Sequence, residues 1–297
     1  MRVLVAGGSG VIGRRLVPLL RAVGHDVATL SRSDGVDALD PAAVRRAVRD
    51  AAPDVVVNML TAIPRELDPR KLASQFALTN RLRTEGTRNL LDAAGGARII
   101  SQGLAYGYQP APGPAGEDAP LWTVGTPKQF APVLNALREL EDLTTGAGGL
   151  VLRIGHLYGP GTIYAADGSF ARQVRAGKVP LVGGGHATFS FTHADDAASA
   201  VVAALDRPEV TGVLNVVDDC PAELREWLPA YARLLGAPAP KRAPAALARL
   251  AVGGWGVAFM NQLRGADNAR ARMRLDWRPR YPSWSDGFAA DLTGAGR

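Results

Sequence analysis

The sequence predicts an α/β protein of the Rossmann-like, doubly wound kind: a parallel sheet covered by helices, with a smaller substrate-binding region interleaved in the second half. Three observations carry this. Short apolar runs at residues 3–6, 27–31 and 55–57 suit buried strands and alternate with amphipathic helical stretches. A glycine-rich turn, GGSGVIG at residues 7–13, separates the first run from the first helical stretch. The 297 residues suffice to bury a large core, and 47% apolar with 21% charged residues is ordinary for a globular chain.

Taken in order, residues 3–6 form a first strand and residues 11–23 an amphipathic helix closed by Gly24. Residues 27–31 supply a second strand, and Pro41 opens a helix with Val44, Ala47 and Val48 on one side. Residues 55–57 form the third strand, a long helix is expected over 71–94, and Gly95-Gly96 leads to a fourth strand over 97–101. Four prolines and two glycines mark residues 110–120 as a surface loop. A helix over 129–145 and a strand over 150–154 follow. This divides the chain into a dinucleotide-binding domain, 1–154, and residues 155–297, which complete the sheet and interleave with the substrate-binding region.

Composition narrows the function classes. A single cysteine, Cys220, excludes an internal disulfide framework. The apolar stretch 250–263 falls short of the roughly 20 residues that span a bilayer. The N-terminus runs directly into its first strand, so a cytoplasmic protein is expected. A net charge of +6 comes from an arginine-rich surface; its densest run, 264–280, carries no nucleic-acid motif. No nucleic acid, membrane or metal is expected as a partner. His193, Asp195 and Asp196 lack a distal ligand cluster and read as a helix start. The oligomeric state is left open.

Glycines at 7, 10 and 13 let the backbone turn tightly and approach a pyrophosphate at a helix N-terminus, so Gly7, Ser9, Gly10, Val11, Ile12 and Gly13 are candidate cofactor ligands. After the second strand an acidic residue would select NAD. Here Arg32 and Ser33 stand instead, and a guanidinium suits a 2′-phosphate, so NADP(H) is the expected cofactor.

GGSGVIG, VDALD at 36–40, PDVVVNML at 53–60, SQGLAYG at 101–107, LRIGHLYGPG at 152–161, FSFTHADDAASA at 189–200 and LDWRPRYPSWSDGF at 275–288 together resemble the landmarks of extended short-chain dehydrogenases, the NAD-epimerase/dehydratase family. The resemblance covers nearly the whole chain. It implies that Asp37 contacts adenine, that Asn58, Met59 and Leu60 pass near the nicotinamide side, and that Ser101 belongs to the cofactor site.

Members of that family use a Tyr-x-x-x-Lys pair with an upstream hydroxyl for proton exchange. Four residues after the six tyrosines stand Pro110, Pro112, Thr162, Gly168, Leu235 and Ser285, so the pair is absent. In the helix that should carry it, the positions fall on Ala131 and Asn135 or on Val133 and Leu137, and Gln102 occupies the hydroxyl position. Three readings follow. The first is a reductase that uses a phenol of its own aromatic substrate, since a missing acid costs only about 10²–10⁴-fold. Another side chain, Tyr106, Lys128, His156 or Tyr158, is the second source of the proton, with an imidazole at position 156 suited to relay near neutral pH. A catalytically inactive NADP(H) sensor is the third, and an epimerase or dehydratase of a nucleotide sugar a further alternative.

The expected function is thus an NADPH-dependent ketoreductase acting on a bulky aromatic small molecule. It is similar to tailoring enzymes of actinobacterial polyketide and antibiotic pathways. Gln102, Trp122 and His156 are the candidate substrate-binding residues, with Phe189 and Trp255 as further aromatic wall.

Overall fold

The computed structural model describes residues 1–64 and 66–293. The first half lays down β1 (Arg2–Ala6), α1 (Gly13–Ala22), β2 (Asp26–Leu30), α2 (Pro41–Ala51) and β3 (Val55–Asn58). Next come α3 (Leu72–Gln75), α4 (Ala77–Arg81), a π-helical turn (Leu82–Gly86), α5 (Thr87–Ala93), β4 (Arg98–Leu104), α6 (Ala131–Gly146) and β5 (Leu150–Ile154). The second half adds β6 (His156–Tyr158), α7 (Ser169–Arg175), β7 (Leu181–Val182), β8 (Thr188–Phe189), β9 (Phe191–His193), α8 (Ala194–Leu205), β10 (Gly212–Val216) and β11 (Ala222–Glu223). It closes with α9 (Leu224–Leu234), β12 (Arg242–Ala243), α10 (Ala245–Asn261), α11 (Ala269–Leu275) and α12 (Trp284–Thr293).

Six parallel strands form the central sheet in the order β10-β5-β4-β3-β1-β2. Both faces are covered, which is why the strands are apolar without alternation: β3 and β5 are buried at every position. On one face Leu16 and Leu20 of α1 and Ala197 and Val201 of α8 pack on Val3, Val5 and Val57. On the other, Val44 and Val48 of α2 and Leu90 of α5 pack on Leu4 and Val56. A third, aromatic-rich core joins α6, α7, α9, α10 and α12 beyond the strand ends.

The order in which strands are added reverses at β1, with β2 on one side and β3 on the other, and the crevice at this switch point is where open α/β sheets bind ligands. α2 begins as its sequence directs: Pro41 occupies the first turn and the Asp40 carboxylate accepts from the amides of Ala42 and Ala43 at 2.8 and 3.2 Å. The helix expected over 71–94 is instead segmented, with the π turn inserted between α4 and α5. α10 is bent at Gly253, whose φ of 72° and ψ of −178° only glycine adopts readily. Among the described residues no helix is long and apolar enough to cross a membrane.

Candidate active site

The loop from β1 into α1 is built by close approach. Gly7 has φ of 91°, and a Cβ there would lie 2.6 Å from the Met59 carbonyl oxygen across the β1–β3 crevice. A Cβ on Gly13 would meet the carbonyl oxygens of Gly7 and Gly8 at 2.4 and 2.6 Å. Any larger residue would push this loop out of the crevice. Its amides at Val11 and Ile12 donate to no backbone acceptor among the described residues and stand at the positive end of α1. This is a cradle for a pyrophosphate.

The cradle opens into a cleft of about 1580 Å³. Gly7, Ser9, Gly10, Val11, Ile12, Gly13, Arg32, Ser33, Asp37, Met59 and Leu60 all line it, so eleven of the expected cofactor residues share one wall. Arg32 and Ser33 are exposed in the short turn Arg32–Asp34 after β2, where Ser31 Oγ donates to Asp34. Arg32 makes no ion pair among the described residues, which leaves its guanidinium available to a phosphate.

Two expected cofactor residues stand one layer back. Asn58 is buried, donates through Nδ2 to Thr87 at 2.9 Å and accepts from the Leu60 amide at 3.2 Å, so it shapes the wall rather than forming it. Ser101 is fully buried and accepts from Thr144 Oγ1 at 2.9 Å. The side-chain alternation of β4 explains this: Gln102 faces the cleft and Ser101 the covering helix.

At the inner end of the cleft, Gln102, Leu104 and Tyr106 come from β4 and the turn after it, Val133 from α6, His156 from β6, and Trp255 and Phe259 from α10. Val133 is on the cleft wall and Leu137 is buried, while Asn135 is exposed on the far side. Neither register, Ala131 with Asn135 or Val133 with Leu137, supplies a tyrosine or a lysine.

The imidazole of His156 lies between Tyr106, stacked at 4.3 Å, and Phe189 at 4.2 Å, with Phe259 at its edge. Its Nε2 is buried with no hydrogen-bond partner. Burial pushes its pKa down to about 3, so it is neutral near pH 7 and does not fit the proton relay expected from sequence. As an aromatic wall and a neutral hydrogen-bonding group it fits a substrate contact.

Three further candidates lie away from the chemistry. Tyr158 is fully buried against Phe191, His193 and Phe288, outside the cleft, and burial raises its pKa far above the usual phenol range. Lys128 is exposed in the turn before α6 and is not part of the cleft wall. Trp122 is buried edge-on to Phe130 and donates its indole N–H to the Val124 carbonyl, so it supports the wall from behind. Phe189 likewise backs His156, whereas Trp255 reaches the cleft and stacks on Phe130 at 4.0 Å. His193 caps α8, accepting from the Asp195 amide, and Asp195 pairs with Arg15 at 2.7 Å.

Sequence reasoning passed over Arg83, a buried arginine in the π turn. It also passed over Phe130 and Phe259 as wall residues.

A glycine cradle at the switch point, an open guanidinium after β2 and a cleft running to the strand ends define a dinucleotide-binding α/β protein. The chain belongs to the NAD dependent epimerase/dehydratase family, whose pattern it matches over residues 3–216. A 3-diazoavenalumate denitrifying reductase from a Streptomyces species is 48% identical over 307 residues, covering 98% of this chain and 100% of that one. A dTDP-4-dehydrorhamnose reductase from Streptomyces griseus is 32% identical, covering 84% of this chain and 83% of the relative. The solved structure of human epimerase family protein SDR39U1 (isoform 2) with NADPH shares the fold, with a TM-score of 0.75 and 24% identity over 99% of each chain. These matches support an NAD(P)-dependent oxidoreductase, and the observed cradle fits that dinucleotide.

Proposed function

We propose that the protein is an NADPH-dependent reductase that passes hydride to a bulky aromatic small molecule and takes no proton from a Tyr-x-x-x-Lys pair. The observation that supports this reading is a cleft wall where α6 presents Val133 and neither register of the family resemblance supplies a tyrosine, beside a neutral His156. Arg32 and Ser33 favour the 2′-phosphate of NADP(H) over NAD(H). Reduced nicotinamide, when bound, supplies the hydride. The chain's residues hold and orient: the cradle fixes the dinucleotide, and His156, Tyr106, Trp255 and Phe259 offer aromatic faces to a planar acceptor.

An acceptor suited to such a wall completes its reduction without a protein acid. An aromatic diazonium does so. Hydride joins its terminal nitrogen to give a diazene; the C–N bond then breaks, dinitrogen leaves and the N–H hydrogen ends on carbon. The full-length relative named for denitrifying reduction of a diazo compound supports this acceptor class. An aromatic ketone with an adjacent phenol is the second reading, favoured by the aromatic wall and by the reductase named for a sugar ketone precursor. Its phenol hydrogen would meet the oxygen that hydride delivery leaves negative, offsetting a loss of about 10²–10⁴-fold. The resemblance to polyketide-tailoring enzymes points this reading toward angucyclinone-type ketones, such as the substrate of the simocyclinone 7-ketoreductase.

The test follows NADPH absorbance with an ortho-hydroxy arenediazonium, a phenolic aromatic ketone and the ketone's O-methyl ether. Consumption of NADPH with release of dinitrogen is expected for the first, and faster turnover of the phenol than of its ether for the second. Equal ketone rates would sink substrate assistance. Tight NADPH binding with no turnover of any acceptor would replace the enzyme reading with a sensor.

A further inference from the structure

Arg83 is 3% exposed, and its Nη1 is buried with no hydrogen-bond partner. The other deeply buried arginine in the region, Arg153, is matched by both carboxylate oxygens of Glu141 and by the Tyr108 hydroxyl. Among the described residues nothing comparable serves Arg83. Burial pushes its pKa down to about 10, so the guanidinium is still charged near neutral pH, and the one group that opposes the fall is the phenol of Tyr106. No carboxylate contributes.

The surroundings place this charge beside the cleft. Arg83 lies in the π turn Leu82–Gly86, which packs on α6, the helix that carries Val133. Leu82, its neighbour in the chain, and Tyr106, its neighbour in space, both line the cleft. The Tyr106 ring is fixed by its stack on His156, and burial raises the pKa of its phenol while the Arg83 charge opposes that rise. A π turn inside a helix is uncommon and is often kept at a functional site. An unmatched buried cation is costly unless a ligand supplies the missing charge.

We infer that Arg83 and Tyr106 form an anion subsite, in which the Tyr106 hydroxyl donates to a phenolate oxygen of the aromatic acceptor and Arg83 provides the matching charge behind it. This rests on the aromatic acceptor proposed above and deepens it: a phenol oxygen of the acceptor is held here as its anion, from the outset in a diazonium and once its proton has passed to the reduced carbonyl in a ketone. Tyr106 touches the substrate and Arg83 is a positioning residue acting through it. The arrangement serves either acceptor class, because an ionised ortho oxygen makes the ring carbon electron-rich, so that it takes up the hydrogen as dinitrogen departs, and is also what a phenol becomes after giving its proton to a reduced ketone.

The experiment uses the full chain saturated with NADP⁺ and para-nitrophenol, whose phenolate band reports ionisation without turnover. Bound to the unsubstituted protein, the nitrophenol is expected to titrate about 1 pH unit or more below its free value. R83M should bring it back to the free value or above, R83K should keep most of the lowering, and Y106F should weaken nitrophenol binding about tenfold. NADPH fluorescence should show cofactor affinity unchanged in all three; if R83M does not fold, R83K and Y106F decide in the same titration.

An R83M protein that still lowers the nitrophenol titration, or an unsubstituted protein that does not bind nitrophenol, overturns the subsite. Loss of NADPH affinity in folded R83K and R83M alike assigns Arg83 to the cofactor and overturns it too. The titration needs no reduction, so a failure of every acceptor to turn over would remove the proposed activity while leaving the subsite standing.

Discussion

The guanidinium of Arg153 meets the carboxylate of Glu141 in two parallel hydrogen bonds of 2.7 Å, with both side chains at most 10% exposed. Its remaining Nη1 donates to Tyr108, which in turn donates to Asn215, so β5, α6, β10 and the turn after β4 are tied at one point. Burial opposes the Arg153 charge, and the hydrogen bonds and charges of Glu141 and Tyr108 together outweigh it and hold the pKa above the usual range.

Glu141→Leu therefore leaves a buried, half-satisfied cation and is expected to destabilise the fold by about 3–5 kcal/mol. The double change Glu141→Leu with Arg153→Met should recover much of that loss, because it removes both charges. Chemical denaturation of Glu141→Leu, Arg153→Met and the double variant checks this; a double variant as unstable as the sum of the single changes would contradict it.

Arg32 stands free on the rim of the cleft, and its charge is the feature that favours a 2′-phosphate. Arg32→Glu should weaken NADPH about tenfold to a hundredfold while leaving NADH nearly unaffected. Equilibrium fluorescence titrations with the two cofactors measure the ratio directly. An unchanged ratio would assign the preference to another group.

His156 is neutral in the fold because burial holds its pKa near 3, against 6.5 when exposed. Between those values the unfolded chain binds a proton that the native state does not, so stability is complete above about pH 6.5 and falls as pH drops toward 3. At pH 5 the loss is about 2 kcal/mol. His156→Phe should flatten melting temperature against pH over this window. The same variant should leave no new inflection in the pH–rate profile between 6 and 8, since the imidazole does not titrate there.

Trp255 and Trp122 are both buried, but only Trp255 reaches the cleft. Trp255→Ala is expected to raise KM for an aromatic acceptor about tenfold. Trp122→Ala should act chiefly on stability, by about 3–5 kcal/mol, with KM little changed in the folded protein. Paired melting and steady-state measurements separate the two roles.

The cofactor half of the site was legible because its demands are local. A glycine at 7 or 13 is required by backbone that passes within van der Waals contact, and that requirement leaves a trace in the chain itself. Arg32 was legible for a similar reason, since a short turn after β2 presents whatever residue stands there. Ser101, Asn58, Trp122 and Tyr158 were misplaced relative to the cleft because which way a strand-end or loop residue points depends on register and on what packs beyond it. Gln102 and Ser101 show how little separates the outcomes: one residue along β4 exchanges cleft for core. Arg83 was invisible because residues 71–94 carry an ordinary helical pattern. The extra residue that makes a π turn answers to packing against α6, which no local spacing records.

The sheet's outermost strand beside β5 is β10, residues that follow the whole first half and most of the substrate-side elements in the chain. Cutting the protein after residue 154 would strip β5 of the neighbour that pairs with it from Leu150 to Ile154, exposing an unpaired edge that is apolar but for Arg153 to other molecules. Synthesis meets the same condition. Until Gly212–Val216 has left the ribosome, the nascent sheet offers that edge to any unpaired strand nearby, so the nucleotide cradle is written first but the sheet that holds it is completed late.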